Sequence, residues 1–404
     1  MTFIFRKLLL ISGVYSGFGF SLPMACCRNQ GFRGFGLGSK ISGMICTNHS
    51  IRAKAHRSDE IRENNVSWLF GKDSKGSYRL AYHHVLASDN EDRDGFDQEA
   101  STDQIAVLFC NGIQSVMTGG TKVNALEMHC RKRGWECCAF DYRGHGLSSG
   151  VFRDCTLTDW IRDASNILDR ILLSSDACPR RRKRVILVGS SMGAWISLHL
   201  AMRFNRLVSE NSGGSNGTTE YEAKTAIKQP IGGIIGIAAG IDFLQDLYSS
   251  STEQEQADWR ANGVAFIPSR YGDPYPISWD LVENAARNWG ILPSTKPILP
   301  ADSFSASATS TASSKLTVGC PVRLLHGRCD DDVSWEKSLE LSNLLKGIGM
   351  DGDEKQIIKD NIEGADSTSQ VVLTLIEDGD HRLSRPQDID LLLDALDEMV
   401  LDVQ

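Results

Sequence analysis

Apolar and polar positions along the chain fall into two alternating patterns, one of strands and one of helices. From Tyr78 to Val85 the residues alternate as a half-exposed strand does. Ile105 to Cys110 and Ile231 to Ala238 are unbroken apolar runs, the pattern of strands covered on both faces. Glu136 to Phe140, Val185 to Val188, Pro321 to Leu325 and Val371 to Leu375 read as further core strands. Between them lie helical periodicities. One spans about Thr121 to Arg133, a second recurs through Leu157, Trp160, Ile161, Ala164, Ile167, Leu168, Ile171 and Leu172, and a third closes the chain through Ile389, Leu392, Leu396 and Val400. Strands alternating with helices predict an α/β fold: a mostly parallel central sheet with helices on both faces.

Other stretches break this rhythm. Residues 1 to 60 contain eight Lys/Arg before the first carboxylate, Asp59, with Arg6-Lys7 preceding an apolar Leu8 to Ile11. That composition is expected of a targeting leader, an organelle transit peptide (mitochondrial or plastid) or the start of a secretory signal. The folded domain is then 61 to 404. Within it, about 208–229, 301–316 and 350–370 are polar and read as surface insertions. Residues of about 240–300 carry Phe243, Trp259, Phe266, Tyr271, Tyr275, Trp279 and Trp289 without strand periodicity, which predicts a small helical lid.

Composition narrows the classes of function. The 404 residues are 41% hydrophobic, and no segment reaches the roughly 18 consecutive apolar residues of a membrane span. Eleven cysteines, an odd number without Cys-x-x-Cys pairs, point to free thiols and away from disulfides or a zinc site. Net charge is −8, and the leader is basic, so the body is more acidic still; that disfavours nucleic acid as a partner. The basic run Pro179 to Arg184 is expected to be a solvated loop into the next strand.

Candidate chemistry sits at strand ends. Gly189-Ser190-Ser191-Met192-Gly193 joins the apolar Val185 to Val188 to an amphipathic helix, and is similar to the nucleophile elbow of an α/β-hydrolase. Ser191 is the predicted nucleophile, with the Met192 N–H and the Ile113 N–H, from the loop after Cys110, as oxyanion donors. In that fold acid and histidine follow the serine in order, each past a strand. Asp330 meets this after Pro321 to Leu325, and His381 after Val371 to Leu375. Asp331 and Asp332 read as caps of the following helix. His145 precedes the serine, so it reads as a structural turn histidine. Nothing suggests a metal or an organic cofactor.

Several segments resemble the mitochondrial palmitoyl-protein thioesterase family of α/β-hydrolases, also described as acyl-glucuronide esterases. They are Met117 to Lys122, Ala125-Leu126-Glu127, Phe140-Asp141-Tyr142, Val188 to Trp195, Ile267 to Tyr271, Cys320 to Gly327 and Asp380-His381-Arg382. The resemblance implies Ser191, Asp330 and His381 as a catalytic triad and an acylated protein or a small ester or thioester as substrate. A lipase, a carboxylesterase or a non-catalytic binding protein of the same fold would share much of this pattern.

Overall fold

The computed structural model describes residues 66–86, 104–174, 183–211, 230–269, 272–300, 316–348 and 370–403. The predicted leader, Arg180 to Arg182, Tyr271 and most of the three predicted insertions lie outside the described residues. The described residues belong to one unit, Lys54–Gln404, and the other unit, Met1–Ala53, lies outside them.

The strands are β1 (Ser67–Asp73), β2 (Gly76–Val85), β3 (Gln104–Cys110), β4 (Glu136–Phe140), β5 (Lys183–Ser190), β6 (Ile231–Ile237), β7 (Val264–Ile267), β8 (Tyr275–Ser278), β9 (Val322–Gly327) and β10 (Val371–Ile376). The helices are α1 (Thr121–Arg133), α2 (Leu157–Ile167), α3 (Met192–Asn211), α4 (Phe243–Ser249), α5 (Glu253–Asn262), α6 (Trp279–Asn288), α7 (Glu336–Lys346) and α8 (Pro386–Val403). Eight of these strands form one sheet in the order β1-β2-β4-β3-β5-β6-β9-β10. Pairs involving β1 and β2 are antiparallel; from β4 to β10 every pair is parallel.

Alternation within β3 shows why an unbroken apolar run was needed. Ile105, Val107 and Phe109 pack on the side of α1 and α8, among Val123, Leu126, Leu396 and Met399. Ala106, Leu108 and Cys110 face the other way, towards Trp160 of α2 and Trp195 of α3. Both faces are therefore dry, and each buried Leu- or Ile-sized side chain is worth about 1.5–3 kcal/mol. In β6 a Cβ at Gly233 would overlap Met399 of α8, so that glycine lets the helix close on the sheet.

Helix α2 starts at a capping box, in which the Thr156 side chain accepts from the Asp159 N–H and the Asp159 carboxylate accepts from the Thr156 N–H. It runs on into a π-helical segment, Leu168–Leu173, so the predicted periodicity to Leu172 spans two helix types. Among the described residues no helix is long and apolar enough to cross a membrane.

One strand went unpredicted and two expectations need correction. The strand β1 was not predicted, because its residues alternate only weakly and it lies at the sheet edge. The excursion between β6 and β9 is not wholly helical: α4, α5 and α6 accompany an antiparallel hairpin of β7 and β8. Strands of four residues are too short to show a period. Lys183 and Arg184 lie within β5, not in a loop, paired with Gln104 and Ile105; Lys183 Nζ meets Glu136 Oε1 at 3.0 Å.

Candidate active site

Strand β5 ends where its chain must reverse into α3, and Ser191 occupies the reversal with φ +54°. Non-glycine residues seldom adopt this left-handed conformation, so the surroundings must hold it. They do so through the backbone. Ser191 N–H donates to the Ile237 carbonyl at 2.8 Å, while the Ser191 carbonyl accepts from Ala194 N–H at 3.0 Å and Gly240 N–H at 3.2 Å. The flanking glycines are needed for space: a Cβ at Gly189 would strike the Gly193 backbone, and one at Gly193 the Cys110 carbonyl. Ser191 is thus presented at the start of α3, where Met192 is the first helical residue.

The loop after β3 passes beside this turn. Gly112 lies so close that a Cβ there would be 3.4 Å from Ser191 Cβ. Its carbonyl accepts from Ser115 N–H at 3.2 Å, and Gln114 takes φ +55°, so Ile113 sits in a tight turn. The buried Asn111 tethers the loop by donating from Nδ2 to the Phe140 carbonyl at 3.0 Å.

Asp330 and His381 converge from the ends of the neighbouring parallel strands β9 and β10. His381 Nδ1 is 2.7 Å from Asp330 Oδ2. The Asp330 side chain is wholly buried. Its Oδ1 accepts from the amides of Asp332 at 2.9 Å and Val333 at 2.8 Å, and its Oδ2 also meets His326 Nε2 at 3.1 Å. Burial pushes this carboxyl upward, but hydrogen bonds from His326 and His381, the charge on His381 and the Val333 amide together hold it well below the usual carboxylate range. Asp330, not Asp331 or Asp332, therefore organises the turn. The expected capping role of those two is incorrect: α7 begins only at Glu336, behind an N-cap Trp335 that makes no side-chain cap bond.

Ser191, Ile113 and His381 line one cavity of about 510 Å³. One wall is apolar and comes from the excursion between β6 and β9, through Phe243, Leu247, Ile267, Pro268 and Ile277. Polar lining comes from Gln114, Ser115, Thr118, Lys122 and Ser384. Lys122 donates from Nζ to the Arg382 carbonyl and, at 3.3 Å, to Ser384 Oγ. Burial, then the charge on Arg382, bring its amine down to about 8 against the pull of Asp380 and Asp388. Ligand atoms of Asp330, Asp332 and His381 approach within 4.8 Å of one another, but the Asp330 oxygens are already engaged by two imidazoles and two amides. His145 lies apart from all of this, its ring edge-on to Tyr142, Phe152 and Trp160.

Sequence reasoning did not single out Lys122 or His326 as site residues. Both lay within the resembling segments, and His326 was read only as the residue following the strand Pro321 to Leu325.

The sequence profile of the alpha/beta hydrolase family matches residues 107–389. The chain belongs to that family. Its sheet order, with the antiparallel β2 beside a parallel core, is the framework on which these residues meet. Among curated relatives, the mouse protein named palmitoyl-protein thioesterase ABHD10, mitochondrial, is 26% identical over 296 residues, covering 73% of this chain and 74% of that protein. Its human counterpart is 25% identical over 296 residues, covering 73% and 72%. A solved putative hydrolase from Agrobacterium vitis S4 has 27% identity and a TM-score of 0.57, covering 83% of this chain and 98% of that one. The solved mouse alpha/beta hydrolase domain-containing protein 10, at 24% identity and a TM-score of 0.53, covers 84% and 100% and shares the fold.

Proposed function

We propose that this hydrolase cleaves acyl thioesters or carboxylic esters through Ser191, His381 and Asp330. The observation that carries the reading is a conjunction: a serine in the left-handed conformation and a histidine bonded at 2.7 Å to a buried, ionised aspartate open into one cavity. Asp330 fixes His381 with its Nδ1–H towards the carboxylate, so Nε2 is free to take the Ser191 proton. The alkoxide oxygen adds to the acyl carbon, and the oxyanion is met by the Met192 and Ile113 N–H groups. His381 returns its proton to the departing thiol or alcohol. A water, deprotonated by the same imidazole, then adds to the acyl-enzyme and releases the acid.

The apolar and polar lining of the cavity suggests how a substrate lies: acyl chain against Phe243, Leu247 and Ile277, leaving group against Gln114, Thr118 and Lys122. The names of the relatives favour a palmitoyl-protein thioester and a mitochondrial location, matching the basic leader of residues 1 to 60. A second reading, a small-molecule carboxylesterase that accepts acyl glucuronides, is favoured by the polar residues that line the cavity of about 510 Å³ beside Ser191.

Labelling of the full chain with a fluorophosphonate probe tests the nucleophile. Wild type should label rapidly and Ser191→Ala not at all, and a panel of acyl thioesters and aryl esters then ranks the two substrate classes. A folded wild type that neither labels nor hydrolyses any of them would remove the catalytic reading.

A further inference from the structure

His326 is buried at the end of β9, four residues before Asp330 and with none of its side chain exposed. Its Nε2 lies 3.1 Å from the Val333 carbonyl, which can only accept, so this nitrogen carries the proton. The same N–H also faces Asp330 Oδ2 at 3.1 Å, a bifurcated arrangement. At the other side of the ring, Nδ1 is 2.7 Å from the Oγ of Ser338, a buried residue of α7 that supplies the donor to the neutral imidazole. Every polar atom of the ring is thus used. Asp330 Oδ2 is consequently shared between two histidines, His326 from behind and His381 from the cavity side.

We propose that His326 is a positioning residue of the active site, which fixes the Asp330 carboxylate and moderates how strongly that carboxylate draws a proton onto His381. The inference rests on the proposed roles of Asp330 and His381. Two effects follow from the sharing. The Nε2–H of His326 locks the plane of the carboxylate, because Oδ1 is already pinned by the Asp332 and Val333 amides. It also takes up part of the negative charge on Oδ2, so His381 faces a weaker acceptor than it would opposite an unshared oxygen. Other charged groups facing His381 are Asp332, on the loop of Asp330; Asp380 and Arg382, on its own loop; and Lys122, from the start of α1.

The test compares His326→Gln, whose Nε2 can occupy the donor position, with His326→Met, of similar size but without a donor. Both are made in the full chain and read by NMR titration of the labelled His381 imidazole, assigned through His381→Gln. Removing the donor returns charge to Oδ2 and favours the imidazolium, so the His381 midpoint should rise by about half a unit to one unit in His326→Met and stay near wild type in His326→Gln. The acid limb of the pH profile for fluorophosphonate labelling should move upward by the same amount. Ser338→Ala, which removes a single oxygen, should give the same direction with a smaller shift and serves if the Met variant does not fold. A side chain that only fills space would leave the midpoint unmoved in every folded variant, and that result overturns the proposal. Because the NMR titration needs no turnover, it stands apart from failure of the hydrolase reading, which would show as an unlabelled wild type.

Discussion

Asp330 and Asp163 are both completely buried carboxylates beside a basic partner, yet their surroundings drive them in opposite directions. Asp330 accepts from four donors, two amides and two imidazoles. Asp163, on α2, accepts from the Arg143 amide at 2.9 Å and from its Nε at 2.8 Å, but the same guanidinium also serves Asp73 at 2.5 Å and Asp159. Burial pushes Asp163 up to about 7, with Arg143 opposing and Asp159 adding to the rise, whereas Asp330 ends below the ordinary carboxylate range. Burial alone therefore does not decide whether an acid inside the protein is charged. The donors facing the carboxylate weigh against burial, and at Asp330 they prevail. The two clusters differ as much in outlook. His381 opens onto the cavity, while Arg143 is closed in under β1, holding α2 and the Arg143 to Gly146 turn to the sheet edge through Asp73.

If one cluster is chemical and the other architectural, substitutions should separate activity from stability. Asp330→Asn should lower the rate of ester hydrolysis by about 10⁴-fold in a protein that still folds, measured as kcat/KM on an aryl ester. Arg143→Met should leave activity per folded molecule within about threefold but cost about 3–5 kcal/mol in urea unfolding, since it strands buried carboxylates without their cation. Equal losses of both quantities in both variants would dissolve the distinction.

A subtler contrast lies in pH. Asp163 has a native pKa above its unfolded value, so the native state binds the extra proton and stability is lost as pH rises from about 4 towards about 7. Asp330 is lowered, so its contribution is present above about pH 4 and is lost as pH falls below that. Urea midpoints recorded across pH should lose the first slope in Asp163→Asn and the second in Asp330→Asn. The smallest effect is expected at His145, whose pKa burial lowers to about 4 and whose Nε2 has no hydrogen-bond partner among the described residues. His145→Asn should destabilise by about 1 kcal/mol through lost ring packing and leave fluorophosphonate labelling within about twofold.

Much of the frame was legible because core strands must be apolar on both faces. Glu136–Phe140 and Thr121–Arg133 coincide with the predicted spans, and Ile105 to Cys110 extends by only one residue. Ser191 stood out because a tight reversal between strand and helix demands glycines at fixed spacing. What escaped detection had no periodic or compositional mark. The β7–β8 hairpin is short and carries Pro276 in an edge strand. Asp331 and Asp332 looked like caps because acids before a helix usually are, yet the helix starts later than the apolar pattern could indicate. His326 sits in an apolar strand, and only the three-dimensional approach of Ser338, Val333 and Asp330 gives it meaning.

The excursion between β6 and β9 is held at its base by one carboxylate. Asp242, just after β6, takes φ +54° and receives the Ile291 amide at 3.0 Å, the Leu292 amide at 2.7 Å and Thr295 Oγ1 at 3.1 Å. Departure and return of the chain are thereby buttoned together at one carboxylate. The segment in between supplies the apolar wall of the cavity but none of Ser191, Asp330 or His381. The apolar wall and the residues Ser191, Asp330 and His381 are thus carried by separate parts of the chain, so the lining of the cavity can change without moving those three side chains.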